Sequence, residues 1–528
     1  MRSVHLMLKE QRLRFHFLLM MALPFVVTPS MADESWWQFL GPQGNSHTTS
    51  VKLPIQWTEV KNVAWKTKIH DRGWSSPVIS GNQIWLTTAT LDGKRLFAVC
   101  IDKNTGQVLL DQQVFTVDRP QKISAANTYA TPTPVIGENQ VFIHFGTYGT
   151  ACLATETGEL VWARRDLNCD HETNAGPASS PTLIDNRLVV HVDGRDVQYI
   201  VALDTATGET VWKTPRSYDY STVPVNQRKA YSMPGLAPYR SGTQLISAAA
   251  QGVYGYGTDG RELWRVRHKG WSVFPRPVSG HGLVFTIVDR DHPELWAIRH
   301  DGSGDVTNTH IQWKETRGMP ARSTPLLIGD LLYLINREGI MTCLRAKTGD
   351  LVWKQRLEGA YSATPIFAQD RIYLFNEESK CTVIRPGNEY QVVTENALNN
   401  QTLMATPAVD ENAFYVRTEN YLYKLLNGVQ RESDTEPTEE FIGKWDIGRS
   451  KGKPVFVMTL KADYTATKSH VPNATGTWKL VDGEARVIWS DGWRDIIRKQ
   501  GNRYQKIAFR PDTDFGSPPA NSESADKQ

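Results

Sequence analysis

From about residue 60 to about residue 425 the chain alternates short apolar runs with polar turns, and the alternation repeats. Each unit opens with an apolar run such as VIS, VIG or LLIG. It passes through a polar turn such as GNQ, ENQ or GDL and resumes with IWL, VFI or LYL. That is the pattern of two short strands joined by a tight turn. A proline opens each unit, at Pro77, Pro134, Pro181, Pro238, Pro277, Pro325, Pro365 and Pro407, and an apolar residue follows seven places later. The prolines lie 39 to 57 residues apart. A sustained period of roughly 40–50 residues built from short strands predicts a β-propeller with one four-stranded blade per repeat.

The second half of each unit predicts an outer hairpin. CLATETGELVW, ALDTATGETVW and CLRAKTGDLVW end at Trp162, Trp212 and Trp353; CIDKNTGQVLL and GYGTDGRELW, ending at Leu110 and Trp264, are variants. The Thr-Gly or Asp-Gly turn allows φ > 0, and the strand that leaves it carries the large side chain. One tryptophan per blade is placed to fill the wedge between neighbours or to dock on the next turn. The copy opening at Pro407 ends after FYVRTENYLYKLL without such a strand, while NVAWKTKI, with Trp65, stands unmatched before the first copy. The orphan supplies the missing outer strand. The expectation is an all-β, eight-bladed propeller over 33–427, closed by an N-terminal strand. Closure removes open edges that invite aggregation.

Outside the repeats the pattern changes. Residues 428–438 are polar and read as a linker. Residues 439–510 alternate again, as in VFVMTLKADY and ARVIW, and predict a small C-terminal β-meander domain of five or six strands. Its Trp445, Trp478, Trp489 and Trp493 either form a core or line a ligand face. Residues 511–528 are polar and rich in Pro and Ser, the composition of a disordered tail. Residues 1–32 read as a signal peptide. Arg2, Lys9, Arg12 and Arg14 precede an apolar stretch from Phe15 to Val27, and Ser30 and Ala32 put small residues at the −3 and −1 positions of a cleavage site. Export to the periplasm or beyond the cell follows, and no later segment has the length and apolarity of a membrane span.

Charge narrows the partners. The chain holds 59 basic and 56 acidic residues, and removing the signal leaves 55 of each, with no basic block. A nucleic-acid partner has no electrostatic footprint here. Cys100, Cys152, Cys343 and Cys381 recur at one place in four units. Equivalent positions on separate blades are at least one sheet spacing, ~10 Å, apart, beyond disulfide reach; these four read as small buried hydrophobes. Cys169 stands apart beside Asp170, His171 and Glu172, one loop without a second ligand set, so no metal is expected. HExxH, GxSxG, P-loop and CxxCH motifs do not occur, and no catalytic residue is assigned.

The form A-x-D-x-x-T-G-x-x-x-W, seen as ALDTATGETVW, resembles the tryptophan-docking motif of pyrroloquinoline quinone (PQQ) repeat propellers, over roughly 36–426. Two branches share that motif: the quinoprotein alcohol dehydrogenases, and non-catalytic propellers resembling the outer-membrane assembly factor BamB. The enzyme branch implies a quinone stacked between a tryptophan and a disulfide of adjacent cysteines, Ca²⁺ held by Glu and Asn, and an Asp base. This chain has no adjacent cysteines. The expectation is a secreted, cofactor-free binding or scaffold propeller for a protein, peptide or envelope component. The alternative is a PQQ- and Ca²⁺-dependent dehydrogenase oxidising alcohols or sugars. A second alternative is a carbohydrate-binding envelope protein.

The segments before the prolines converge on one face of such a ring and are rich in aromatic, Asn and Arg residues. The candidate ligand-binding set there is Trp74, Tyr129, His171, Asn174, Trp271, Arg317, Arg322 and Tyr361. The aromatics either plug the channel or wall a pocket. In the second case Arg317 and Arg322 are the charge partners of a polar or anionic ligand.

Overall fold

The computed structural model describes residues 35–50, 52–171, 175–398, 401–430, 440–450, 453–471, 474–481, 483–500, 503–515 and 517–528. The expected signal peptide, 1–32, and most of the expected linker, 431–438, lie outside the described residues. Eight antiparallel sheets of at least four strands follow one another along the chain. Blade one is typical: Val78–Ser80, Gln83–Ala89, Arg95–Asp102 and Val108–Thr116 pair in order from the channel outward. The second and third strands are buried almost throughout, because neighbouring blades cover both faces; the outermost strand alternates buried and exposed positions.

The ring closes as the orphan strand requires. Blade eight takes Ala408–Asp410, Ala413–Arg417 and Tyr421–Gln430 from one end of the propeller sequence and Lys61–Lys68 from the other, with Trp65 opposite Lys424. In blade four the opening proline is Pro234, not Pro238. Its innermost strand, Gly235–Tyr239, starts directly after Pro234, and Pro238 sits inside it opposite Thr243. That inner hairpin is longer than its counterparts, so the seven-residue spacing selects a proline within the strand.

Adjacent blades are joined by the tryptophans. Trp65 donates its indole N–H to Lys103 O at 3.2 Å, Trp162 to Thr205 O at 2.9 Å, Trp212 to Thr258 O at 3.0 Å, Trp313 to Ala346 O at 3.0 Å and Trp353 to Gly387 O at 3.0 Å. Each acceptor belongs to the outer turn of the following blade. Except at Trp353, the indole also lies on the turn glycine: a Cβ on Gly106 would stand 2.7 Å from Trp65, and one on Gly208 2.6 Å from Trp162. These glycines have φ of 75° and 73°, so backbone conformation and packing both demand glycine. Leu110 makes the same contact against Gly158. Trp264 breaks the rule and donates to Gln244 in its own blade, at 2.7 Å. There the next blade's longer outer turn lays Gly304–Asp305 parallel against Glu262–Arg267 as a fifth strand.

All five cysteines are free and buried. Cys100, Cys152 and Cys343 are equivalent, opposite Trp85, Phe142 and Tyr333. In blade seven that place belongs to Val383, opposite Tyr373, and Cys381 lies earlier on the strand, opposite Phe375.

The C-terminal unit is a closed eight-stranded barrel from Gly443–Ser450 to Asn521–Lys527, not a meander of five or six strands. The tail expected to be disordered holds the last strand, which pairs with both Arg503–Phe509 and Gly443–Ser450. Its side chains are polar because most face water; Ala525 points into the core, and Glu523 reaches Lys506 at 3.4 Å. Backbone pairing, to which composition is blind, orders the segment. Trp445, Trp478 and Trp489 form the barrel core, with Trp493 packed at its margin.

Two outcomes follow. Trp65→Ala should destabilise the propeller by about 3–5 kcal/mol in urea titrations read by circular dichroism; an unchanged midpoint would show that the docked indole does not hold the ring. Removing residues 518–528 should open the barrel and expose it to limited proteolysis, while the propeller keeps its resistance.

Candidate functional site

The residue before each opening proline is held extended by the proline ring that follows it. In blade order these residues are Ser76, Thr133, Ser180, Met233, Arg276, Thr324, Thr364 and Thr406. Six carry hydroxyls, and most are stitched around the channel. The Ser76 amide donates to Thr133 Oγ1 at 3.0 Å, and Thr133 to Ser180 Oγ at 2.9 Å. Arg276 donates to Thr324 Oγ1 at 3.1 Å, Thr324 to Thr364 Oγ1 at 3.1 Å, and Thr364 to Thr406 Oγ1 at 3.0 Å. At blade four Met233 has no hydroxyl, and Ser232 Oγ bonds Pro275 O at 2.8 Å instead. Between blades eight and one the buried Arg417 spans the gap, donating to Ser75 O at 2.9 Å and Thr87 O at 2.8 Å.

All six hydroxyl residues line a central cavity of about 810 Å³. Its floor is the N-terminal segment 36–48, which crosses the channel. Trp36 O accepts from the Ile79 amide at 2.9 Å, and Trp37 O from Ile136 at 2.9 Å; Ser46 O accepts from Phe367 at 2.9 Å. His47 Nε2 lies 2.7 Å from Leu327 O. The Arg276 side chain, buried below the hydroxyl ring, donates to Phe39 O at 3.1 Å. A Cβ on Gly44 would collide with that guanidinium, so the segment passes Arg276 only because it has glycine there. Burial pushes the Arg276 guanidinium down to about 10.

Charged groups stand on the walls in pairs. Arg337 grips both oxygens of Glu377, at 3.1 and 3.0 Å. Arg322 donates to Ser362 Oγ at 3.1 Å and lies 3.6 Å from Glu377. Burial pulls the Arg322 guanidinium below its usual range, and Glu377 opposes that shift. Arg290 pairs with Asp291 at 2.9 Å and stacks 4.6 Å over Trp271.

Of the sequence-derived candidates, Trp74 and Arg322 reach the cavity. Trp74 is fixed by an N–H bond to Ala126 O at 3.1 Å and by Arg72 stacked at 5.0 Å. Tyr129 is buried against Gly93 and bonds Gln121 O at 2.9 Å, and Tyr361 is buried and bonds Glu358 O at 3.2 Å; both are packing residues. Trp271 stays outside the lining, beneath Arg290. Arg317 points to solvent with 90% of its side chain exposed, while its neighbours Thr316 and Gly318 line the cavity with Arg322. Asn174 lies outside the described residues. The residues missed by sequence reasoning are the hydroxyl ring, the Phe39 floor, Arg290 and Arg337. The ring had a signal in the repeated Ser-Pro and Thr-Pro pairs.

His171 lines a smaller neighbouring cavity with His144, His191 and Cys169, its Nε2 3.2 Å from Cys169 Sγ. Among the described residues no group of three or more His, Cys, Asp or Glu is placed to hold a metal ion. Burial pushes His144 down to about 3 and His171 to about 4, with the neighbouring His171 and Lys229 respectively adding to the shift. His191 is lowered by burial and then by Arg216.

Residues 48–214 and 196–425 match the family model PQQ_2, described as outer membrane protein assembly factor BamB. The chain is 28% identical over 197 residues to outer membrane protein assembly factor BamB of Alkalilimnicola ehrlichii, covering 34% of this chain and 43% of that one. It is 26% identical over 189 residues to the Legionella pneumophila protein of the same name, covering 34% and 44%. The chain therefore spans less than half the length of these curated relatives. The solved quinohemoprotein alcohol dehydrogenase from Comamonas testosteroni superposes with a TM-score of 0.52 at 8% identity, over 76% of this chain and 82% of that one, a likeness of fold.

The buried histidines set a pH dependence. They are neutral when folded and bind protons near pH 6.5 when unfolded, so the unfolded state gains protons first as pH falls. Stability should be full above about pH 6.5 and decline below it, by about 2 kcal/mol per histidine at pH 5. Urea titrations at pH 7 and pH 5 measure the decline, and His144→Asn should make it shallower.

Proposed function

The chain belongs to the outer membrane protein assembly factor BamB family, and on that premise we propose that it is an exported, non-catalytic binding or scaffold propeller of the cell envelope. Its partner, a protein, peptide or other envelope component, docks on the loop face around the central cavity. The observation that carries this reading is the cavity itself: a funnel of about 810 Å³, lined by both polar and apolar groups, that ends on the N-terminal segment. Its size falls within the roughly 300–1,000 Å³ of ligand sites, and the loops that line it are tied from blade to blade by the hydroxyl bonds.

The dehydrogenase alternative needs a donor set that these residues do not supply. The cysteines are free and sit on separate strands or, for Cys169, in a loop, so no vicinal disulfide offers a stacking platform. The lining carboxylates, Asp291 and Glu338, come from different blades, and Asp291 is engaged by Arg290.

A photo-crosslinking residue in place of Ala321, at the mouth, should give discrete adducts with envelope components. The same residue in place of Leu351, on the outer rim, should not. Quinone-dependent dye reduction on alcohols or sugars, after addition of PQQ and Ca²⁺, would overturn the non-catalytic reading.

A further inference from the structure

The cavity is balanced in charge and closed at one end, and together these features select a ligand. Three arginines, Arg290, Arg322 and Arg337, line it; Asp291 and Glu338 share the lining, and Glu377 lies directly behind Arg322 and Arg337. With Glu377 included, three cations on the walls meet three carboxylates, while Arg276 beneath the floor is turned to Phe39 O. The closed floor admits a polymer by its end alone, because segment 36–48 crosses the channel. A peptide end brings an ammonium or a carboxylate. Beside walls whose charges already answer one another, that charge would give up water without gaining a free counter-ion, which is unfavourable.

A saccharide end carries no charge. Its hydroxyls both donate and accept, as the Ser and Thr hydroxyls of the ring do. Arg322 and Arg337 offer further N–H donors, and Glu338 offers acceptors. The C–H face of a sugar needs an apolar wall, and Trp74 and Phe39 supply one at the bottom and side of the funnel. We propose that the funnel binds the uncharged end of an oligosaccharide. This deepens the function proposed above by giving the envelope component a chemistry, and it rests on the loop face being a binding face.

The test is calorimetric titration of the full chain with maltotriose, cellotriose, mannotriose and N,N′,N″-triacetylchitotriose. Trigalacturonate and a pentapeptide with free termini are the charged controls. At least one neutral trisaccharide should bind with Kd below about 1 mM, and the charged probes should bind more weakly. Thr316→Trp fills the mouth from an exposed position, and Arg337→Gln unpairs the wall. Each should weaken that binding at least about tenfold, Thr316→Trp without lowering the melting temperature. The proposal is overturned if none of the neutral probes binds, if a charged probe binds best, or if Thr316→Trp folds normally and binds as tightly as the parent. Adducts from the mouth that persist while every saccharide fails would remove the saccharide and leave the scaffold role standing.

Discussion

Each blade of this ring is held by the next, and at four of the eight joints the contact that does so is an indole resting on a glycine turn. A four-stranded blade cannot bury its two faces alone, so the fold exists only if every blade finds a neighbour on each side. The tryptophan answers that need twice. It covers apolar area in the outer wedge and ties its N–H to a carbonyl that the turn leaves free, as Trp65, Trp162 and Trp212 do. The closing copy of this contact, Trp65 on Gly106, joins blade eight to blade one.

The channel is organised by a second, inner set of links. Prolines hold the preceding residues extended, and hydroxyls then take the amide of the preceding blade. The same hydroxyls face the cavity. One device thus sets both the geometry of the ring and the polarity of its neck, and the seam at blade four, with Met233 and the inward-turned Trp264, is where both sets of links change form.

Much of the fold was legible because the repeat is periodic and its exceptions are local. The blade count and the role of the orphan strand followed from Trp65 and the incomplete last copy. The errors share a cause: sequence shows side chains, and backbone pairing decides. Pro238 satisfied a spacing rule inside a longer hairpin, and the polar NSESADK joined a barrel through main-chain bonds. The site was legible only in part. Trp74 and Arg322 were found by proximity to the opening prolines, but Arg317 turned outward, and Arg337 came from a turn between the second and third strands of its blade, on no list of segments before a proline. Whether a charge is paired, which decides what a cavity accepts, depends on contacts such as Arg337 with Glu377 that join separate blades.

The closing strand also imposes an order in time. Lys61–Lys68 is made before any blade of the ring, yet its partner, Tyr421–Gln430, is made after seven of them. Until that partner exists, the early strand has nothing to pair with, and the ring stays an open arc with an uncovered sheet face at each end. Such long-range pairing is slow, because the loop between the partners must be ordered before any bond rewards it. The interval is one in which a holding chaperone has most to protect, and it ends in a single step when the two ends of the propeller sequence meet.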